Sequence, residues 1–598
     1  MLQPTNRLTL LDALAPPVGL RLESAMAVTF TLDLRALLAA PAALALSGPD
    51  GIVSDGSGQE PIELLHALRA HAGSLTVFCQ AGEIALPPAQ RVFAFLERAV
   101  IPATAPRGGI VHPKVWVLRY EPPDGPPSER RLRVLVASRN LTFDPSWDAI
   151  IRLDEANDGG ASLAPVGDLF EGLLDCAVDA VSAEHTARVE SLAAALRTAR
   201  FALPAGVDDL RAHVLGLSEA PSPLPAASAR SLIVSPFVAE DFFTRVHPVP
   251  VDELVSKPEQ LDGLDPATRR KSAALFVFDD GSLADLQAEE TDASPHDPGR
   301  PLVGLHAKLF AFETDGRARL FVGSANATGA AFGRNVEILL ELGGTREALG
   351  IDRLCGGSDD EPSLRDFFVP YRGPQDEPPS PPGEGTLDGA RRAMARLAFT
   401  GTVEASGTGW AVTYRTTEPL SAPARTDICC WPLASPGNRR QVTAGEPLEA
   451  RFETTLEAMS GFLAFELTHK ERESTRFVIP VRLDGVPEGR DRRLLRALLG
   501  NAERFFRYLL ALLDDDPGEI SLLEAVEGRS PADGAGPAGP LSAPVLEKLL
   551  RTMRRDPAKL DGLHPLVADL AADEALPAGF AELWEMIHDV AQTEAQKP

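Results

Sequence analysis

"GLHAKLFAF", residues 304–312, sets His306 and Lys308 two apart in a run that otherwise has the character of a buried strand. Side chains at i and i+2 of a strand share a face, so this spacing points an imidazole and an ammonium the same way. Alone, such a pair is what the wet face of many strands shows. Its weight comes from a second copy 194 residues earlier, "IVHPKVWVL" (110–118), which carries His112 and Lys114.

The two copies continue in parallel. Each is followed by a strand, "RLRVLVAS" or "ARLFVGS", and then by S-x-N-x-T: Ser138, Asn140 and Thr142 in the first, Ser324, Asn326 and Thr328 in the second. An acid then precedes one more strand, Asp148 before "AIIRL" and Glu337 before "ILLEL". His112 stands 28 residues before Asn140 and His306 stands 20 before Asn326. The eight extra residues fall in the Pro-rich loop "EPPDGPPSER", where insertions cost little. Internal repetition of this kind makes the two stretches one structural unit used twice.

Strands alternating with helical segments place that unit in the α/β class, with mixed sheets covered by helices. In the first copy the pattern predicts strands at 25–34 and 74–80, helices at 35–46, near 60–72 and at 89–100, and mostly helix over 166–199. The second copy restarts after "SEAPSPLPAAS" (218–228), with a strand at 230–237, a helix at 239–246 and the strands "DELVS" and "AALFVFD". The expected organisation is a first half over 1–217 and a second over 229–354. A Pro/Gly/acid-rich linker at 355–391, a small β-sandwich-like domain over 392–484 and a C-terminal helical region over 489–598, broken by "EGRSPADGAGPAGP" (527–540), complete it.

Composition narrows the function. At 598 residues the chain holds several cores, about four on length alone. A net charge of −27 excludes a protein that coats nucleic acid without specificity, because the average field repels phosphate. The repeated windows run the other way: 101–152 holds eight Lys/Arg against five Asp/Glu, and 300–337 five against three. No apolar run reaches the roughly 18 residues of a membrane span, and no secretory n- and h-regions open the sequence. Five cysteines without a C-x-x-C argue for reduced thiols and a cytoplasmic setting.

The repeated residues define a chemistry. Two half-sites facing across a pseudo-twofold bring together two imidazoles (His112, His306), two ammoniums (Lys114, Lys308) and two amides (Asn140, Asn326). Two cations and two neutral donors suit the non-bridging oxygens of a phosphate. One imidazole can attack phosphorus while the other protonates the leaving oxygen. Asp148 and Glu337 are each placed to fix a His tautomer, with Ser138 and Ser324 in support. The pattern calls for no metal and no cofactor. The remaining nine histidines lack partners at this spacing and are assigned to packing or surface. Gly108–Gly109 reads as a plain loop, with a phosphate-contacting turn as the alternative, and Arg139, inside S-x-N, faces either substrate or water.

These residues resemble the phospholipase D superfamily of phosphodiesterases, whose mark is a pair of H-x-K motifs each with a downstream G/S-x-N. The resemblance covers residues 25–345 and is sharpest in "HAKLF…VGSANATGAAFGRNVE". The Asp that the phospholipase form carries after each Lys is replaced, by Arg119 and by Glu313, as in the tyrosyl-DNA phosphodiesterase branch and nuclease-like bacterial members. The resemblance implies a phosphohistidine mechanism with His112 as nucleophile, His306 as general acid, and Lys114, Lys308, Asn140 and Asn326 on the phosphate. It implies a DNA nuclease of no membrane, at work beside helicases or other proteins of a bacterial defence system. A non-catalytic nucleic-acid-binding or scaffolding subunit is the alternative, and a phospholipase the third reading.

Overall fold

A computed structural model describes residues 8–45, 72–122, 126–143, 146–278, 304–356, 364–374, 386–469, 473–499, 549–550, 564, 567 and 580–595. The helix expected near 60–72, the break at 527–540 and most of the linker 373–385 lie outside the described residues.

The first sheet is built from β1 (Arg21–Thr29), β2 (Leu75–Gln80), β3 (Val100–Ala103), β4 (Val115–Glu121), β5 (Arg131–Ala137) and β6 (Ile150–Asp154), in the order β3-β2-β1-β4-β5-β6. The second holds β7 (Asp209–Leu215), β8 (Arg230–Val234), β9 (Val251–Ser256), β10 (Ser272–Phe278), β11 (Leu309–Thr314), β12 (Arg317–Gly323), β13 (Glu337–Thr345) and β14 (Phe368–Pro370), in the order β14-β10-β9-β8-β11-β12-β13-β7. Remove β14 and β7 from the ends and the two orders are the same. In each sheet three parallel strands (β1–β3, β8–β10) meet an antiparallel meander (β4–β6, β11–β13). The fold is α/β with mixed sheets, and the repetition read in the motifs extends to every strand of the core.

Alternation along these strands sorts residues between cores on both faces. Val115 and Val117 join Leu309 and Ala311 in one cluster shared by the two halves and the helices Ala164–Asp175 and Ala183–Thr198. Trp116 and Leu118 turn to a second cluster with the N-terminal segments, and Phe310 and Phe312 to a third behind the second sheet. Burying a Val, Leu or Phe side chain is worth roughly 1.5–3 kcal/mol, so a strand filled on both faces holds its register firmly. His112–Lys114 and His306–Lys308 lie just before β4 and β11, on extended chain rather than within the strands.

Several elements differ from the sequence expectation. The amphipathic segment 89–100 forms only a 3-10 stretch at Arg91–Leu96. Its last residue, Val100, opens β3, where parallel pairing to β2 outweighs helical periodicity. The expected helix at 239–246 is present over 240–246, wound as a π-type turn at Phe242–Val246. β7 precedes the 218–228 stretch, yet it pairs with β13 of the second sheet, and β14, inside the expected linker, closes that sheet's other edge against β10. The linker region also holds the helix Thr386–Met394.

Two four-stranded sheets follow, β19-β16-β15-β22 and β18-β17-β20-β21, made of β15 (Phe399–Ser406), β16 (Gly409–Pro419), β17 (Thr426–Pro432), β18 (Arg440–Val442), β19 (Pro447–Thr454), β20 (Phe462–His469), β21 (Glu473–Pro480) and β22 (Arg482–Asp484). Phe452, Phe465, Tyr414 and Phe477 fill the space between them. This unit is joined to the first half. Trp431, Phe462 and Val478 sit in the first sheet's outer cluster, and the amide of Val478 donates to the Ile84 carbonyl (3.0 Å). The Glu97 carboxylate accepts from the Gly461 amide (2.6 Å) and from Arg490 Nη2 (2.8 Å). Of the C-terminal region, the helices Arg490–Leu499 and Phe580–Ala595 are described. No helix among the described residues is long and apolar enough to cross a membrane.

Candidate active site

Two short parallel bridges tie the halves together at the motifs. Val111 pairs with Val336, and Leu305 pairs with Trp147. In each case the residue before a motif His meets the residue before the other half's acid. The His112 amide donates to the Val336 carbonyl (2.9 Å) and the His306 amide to the Trp147 carbonyl (2.8 Å). The acids are therefore exchanged: Glu337, from the second half, arrives at His112 of the first.

Glycine makes that approach feasible. A Cβ on Gly109 would lie 2.0 Å from the Arg334 carbonyl oxygen, and one on Gly216, at φ +82°, 1.8 Å from that of Asn335. Gly109 is thus no plain loop residue; it is where one half passes against the other.

His112 Nδ1 lies 2.8 Å from Glu337 Oε2. The same oxygen accepts from Ser324 Oγ (2.5 Å), and Asn335 Nδ2 lies 3.3 Å from Oε1. Glu337 is fully buried. With Nδ1–H donated to a carboxylate, the Nε2 lone pair of His112 is left for chemistry. The Phe30 ring packs 5.2 Å from the imidazole.

The lysines repeat one another. Lys114 Nζ donates to the carbonyl of His112 (2.6 Å) and Lys308 Nζ to that of His306 (2.5 Å). Each ammonium folds back onto its own motif, and both are buried. The serines repeat too: the Ser138 hydroxyl accepts from the Ala149 amide (2.8 Å) and that of Ser324 from the Ile338 amide (3.0 Å). Thus the Ser of each S-x-N fixes the strand that follows its acid. Asn140 and Asn326 present one more likeness. Their Oδ1 atoms are both buried, with no protein donor within hydrogen-bond distance.

The symmetry breaks at the imidazoles. His306 Nδ1 faces the Ser138 carbonyl (3.4 Å) and Lys308 Nζ (3.1 Å), where His112 faces a carboxylate. Asp148, the counterpart of Glu337, stands 3.5 Å from Arg139 Nε, so the Arg inside S-x-N bonds within the protein. Burial holds the His112 pKa down at about 4, with Glu337 pulling it up and Lys114 and Lys308 pushing it down. Burial and the same two lysines push His306 to about 2. Burial, aided by Lys308, sets Lys114 well below an ordinary lysine. All three groups are thus held against carrying their protons, by burial above all and by the neighbouring lysines second.

Arg119 and Glu313, at the two departures from the phospholipase form, belong to the frame. Arg119 binds Glu23 and the Ser191 hydroxyl (3.0 Å); Glu313 accepts from the Ile351 amide (2.7 Å) and pairs with Arg346 (3.1 Å). Gln80 and Asn335 were not singled out by the motifs. Gln80 Oε1 accepts from the Val111 amide (2.7 Å), the residue before His112, and Asn335 Oδ1 from the Ile110 amide (3.3 Å). The Asn two residues before Glu337 was visible in the sequence, but nothing in one chain marked it.

No protein-family model matches this chain, and no curated protein does. Among solved structures it is similar to two mutants of the yeast tyrosyl-DNA phosphodiesterase, at 12% identity, with TM-scores of 0.30 and 0.32. They cover 57% and 60% of this chain and 86% and 93% of theirs. A polyphosphate kinase from Porphyromonas gingivalis is similar over 56% of this chain and 42% of its own, at 12% identity and a TM-score of 0.26. Likeness at this level bears on neither reaction nor substrate.

Proposed function

We propose that the chain is a phosphodiesterase of the phospholipase D type, a nuclease that cleaves DNA through a phosphohistidine on His112. One observation carries this reading. Across the boundary between halves, Glu337 holds His112 Nδ1 at 2.8 Å, beside two buried lysines and a second histidine. A carboxylate behind the ring stabilises the positive charge the imidazole gains on bonding to phosphorus, which favours His112 over His306 as nucleophile.

In the first step Nε2 of His112 attacks phosphorus, the bond from phosphorus to the leaving oxygen breaks, and protonated His306 gives that oxygen its proton. In the second, neutral His306 takes a proton from water, the resulting hydroxide attacks phosphorus, and the P–N bond breaks. Lys114, Lys308, Asn140 and Asn326 bind the non-bridging oxygens in both. His306 resists protonation because it is buried and because Lys308 and Lys114 oppose it. A bound phosphodiester offsets those cations, so the substrate itself raises the pKa of its general acid.

The test is turnover of single- and double-stranded DNA, RNA and bis(p-nitrophenyl) phosphate with and without EDTA. Activity should persist in chelator and fall at least 10³-fold in His112→Ala, on the scale of losing an essential nucleophile. His306→Ala should accumulate a phosphorylated protein, because breakdown of the intermediate then lacks its base. Full activity in both variants would sink the proposal. DNA as substrate, a place beside helicases in defence, and a cytoplasmic setting rest on the resemblance alone.

A further inference from the structure

Six large hydrophobic side chains are exposed among the described residues: Val18, Phe143, Phe237, Val369, Leu550 and Met586. The two aromatic ones fall one in each half, and each adjoins a catalytic Asn loop. Phe143 lies three residues after Asn140 and is 53% exposed. Phe237, 43% exposed, sits in the loop after β8 that clasps the other Asn loop. There the Ser235 hydroxyl accepts from the Ala327 amide (3.0 Å), and Val238 bridges Ala327, the neighbour of Asn326. Both loops leave the strand ends at which the H-x-K segments enter.

Each ring also carries a cation. The Arg35 guanidinium lies 6.0 Å from the Phe143 centroid, fixed there by Asp33 (2.7 Å), whose own amide bonds the Leu141 carbonyl (3.0 Å). Lys257 Nζ lies 5.2 Å from the Phe237 centroid, at the end of β9. An aromatic face beside a cation is what binds a base and its phosphate together in single-stranded nucleic acid.

We infer that Phe143 and Phe237 are stacking platforms, one on each side of the scissile phosphate, for the bases of a single-stranded nucleic acid. This rests on the phosphodiesterase reading and supplies its substrate class. A strand entering a pseudo-twofold site leaves nucleotides on both sides of the cleaved bond, so one platform per half fits it. In a duplex the base faces are already stacked on their neighbours.

The experiment measures fluorescence anisotropy of a labelled single-stranded oligonucleotide on the full chain carrying His112→Ala, which cannot turn it over. Phe143→Leu and Phe237→Leu should each weaken binding about tenfold or more. An abasic oligonucleotide of equal length should bind parent and variants alike, and a blunt duplex should bind more weakly than the single strand. Thermal unfolding confirms that each variant is folded. Unchanged binding of the base-containing strand by both variants overturns the inference. So does a requirement for the rings in binding phosphatidylglycerol vesicles but not oligonucleotides. Because binding is read without turnover, wild-type chain that binds through the rings but hydrolyses nothing would end the nuclease proposal and leave this one standing. Hydrolysis of bis(p-nitrophenyl) phosphate without ring-dependent binding would do the reverse.

Discussion

The two motif histidines are chemically distinct although their sequences are near copies. His112 has Glu337 at its Nδ1, while His306 has a carbonyl and an ammonium. The acid limb of kcat/KM reports ionisation in the free enzyme, so it should lie near pH 4, where His112 takes up a proton, rather than near 6.5. Glu337 raises the His112 pKa, so Glu337→Gln should move that limb to lower pH and reduce kcat about 10²-fold; an unmoved limb would count against Glu337 as the positioning group. Folding responds in the same direction. Both histidines have folded pKa values below the usual 6.5, so unfolded chain binds protons that folded chain refuses as pH falls from about 6.5, to about 4 for His112 and to about 2 for His306. Stability present above pH 6.5 is lost across that window. Lys114 is also held against its preference, by burial and by Lys308. Lys114→Met should therefore abolish turnover while raising the melting temperature by a few degrees, on the scale of about 1–2 kcal/mol. A lower melting temperature would show that its hydrogen bond to the His112 carbonyl outweighs its desolvation.

At the scale of elements, the candidate active site depends on two bridges of one residue pair each, Val111 with Val336 and Leu305 with Trp147. Gly109 admits the first. Gly109→Ala places a methyl 2.0 Å from the Arg334 carbonyl, which as backbone cannot swing away. The segment carrying Glu337 must shift, and a displacement near 1 Å can cost about 10²-fold in rate. We expect that loss in kcat, with Gly108→Ala much milder because nothing stands within 4 Å of its Cβ position, apart from the strain of its φ of +71°. Equal effects of the two would show that backbone strain in the loop, not contact with the other half, sets the cost. The strand pattern of the core was legible because alternation and β-branched runs survive in any context. The segment 89–100 was misread because its apolar spacing is helical while its last residue, Val100, opens a strand that finds a parallel neighbour in β2. β7 and β14 were unread since each is an edge strand whose status depends on the sheet it joins.

At the scale of the whole molecule, the β-sandwich is fastened to the first half, behind the first sheet. Glu97 is the hinge of that attachment, bonded to Gly461 and Arg490, with its carboxyl pushed up by burial. Arg490→Ala leaves that carboxylate without its cation. It should destabilise the junction by about 2–4 kcal/mol, read as a lower unfolding midpoint and faster proteolysis between 385 and 399. Retained stability would mean the apolar contacts of Trp431, Phe462 and Val478 suffice. Glu83 and Arg391 (2.7 Å) form a second such tie.

By itself the sequence determined the repeat, the α/β class, the sandwich and the identity of the polar groups. These follow from local spacing, periodicity and turn chemistry, and a fold copied twice writes its pattern twice. What it left open was which acid serves which histidine, since Asp148 and Glu337 looked equivalent. Only the tertiary structure decided that, because the bridges between halves exchange the acids. Glu337 then reaches a histidine 225 residues away in the chain, while Asp148 turns to Arg139. A pseudo-twofold contact is a relation between two units and has no trace in either alone, so the difference between the two imidazoles arises only when the halves meet.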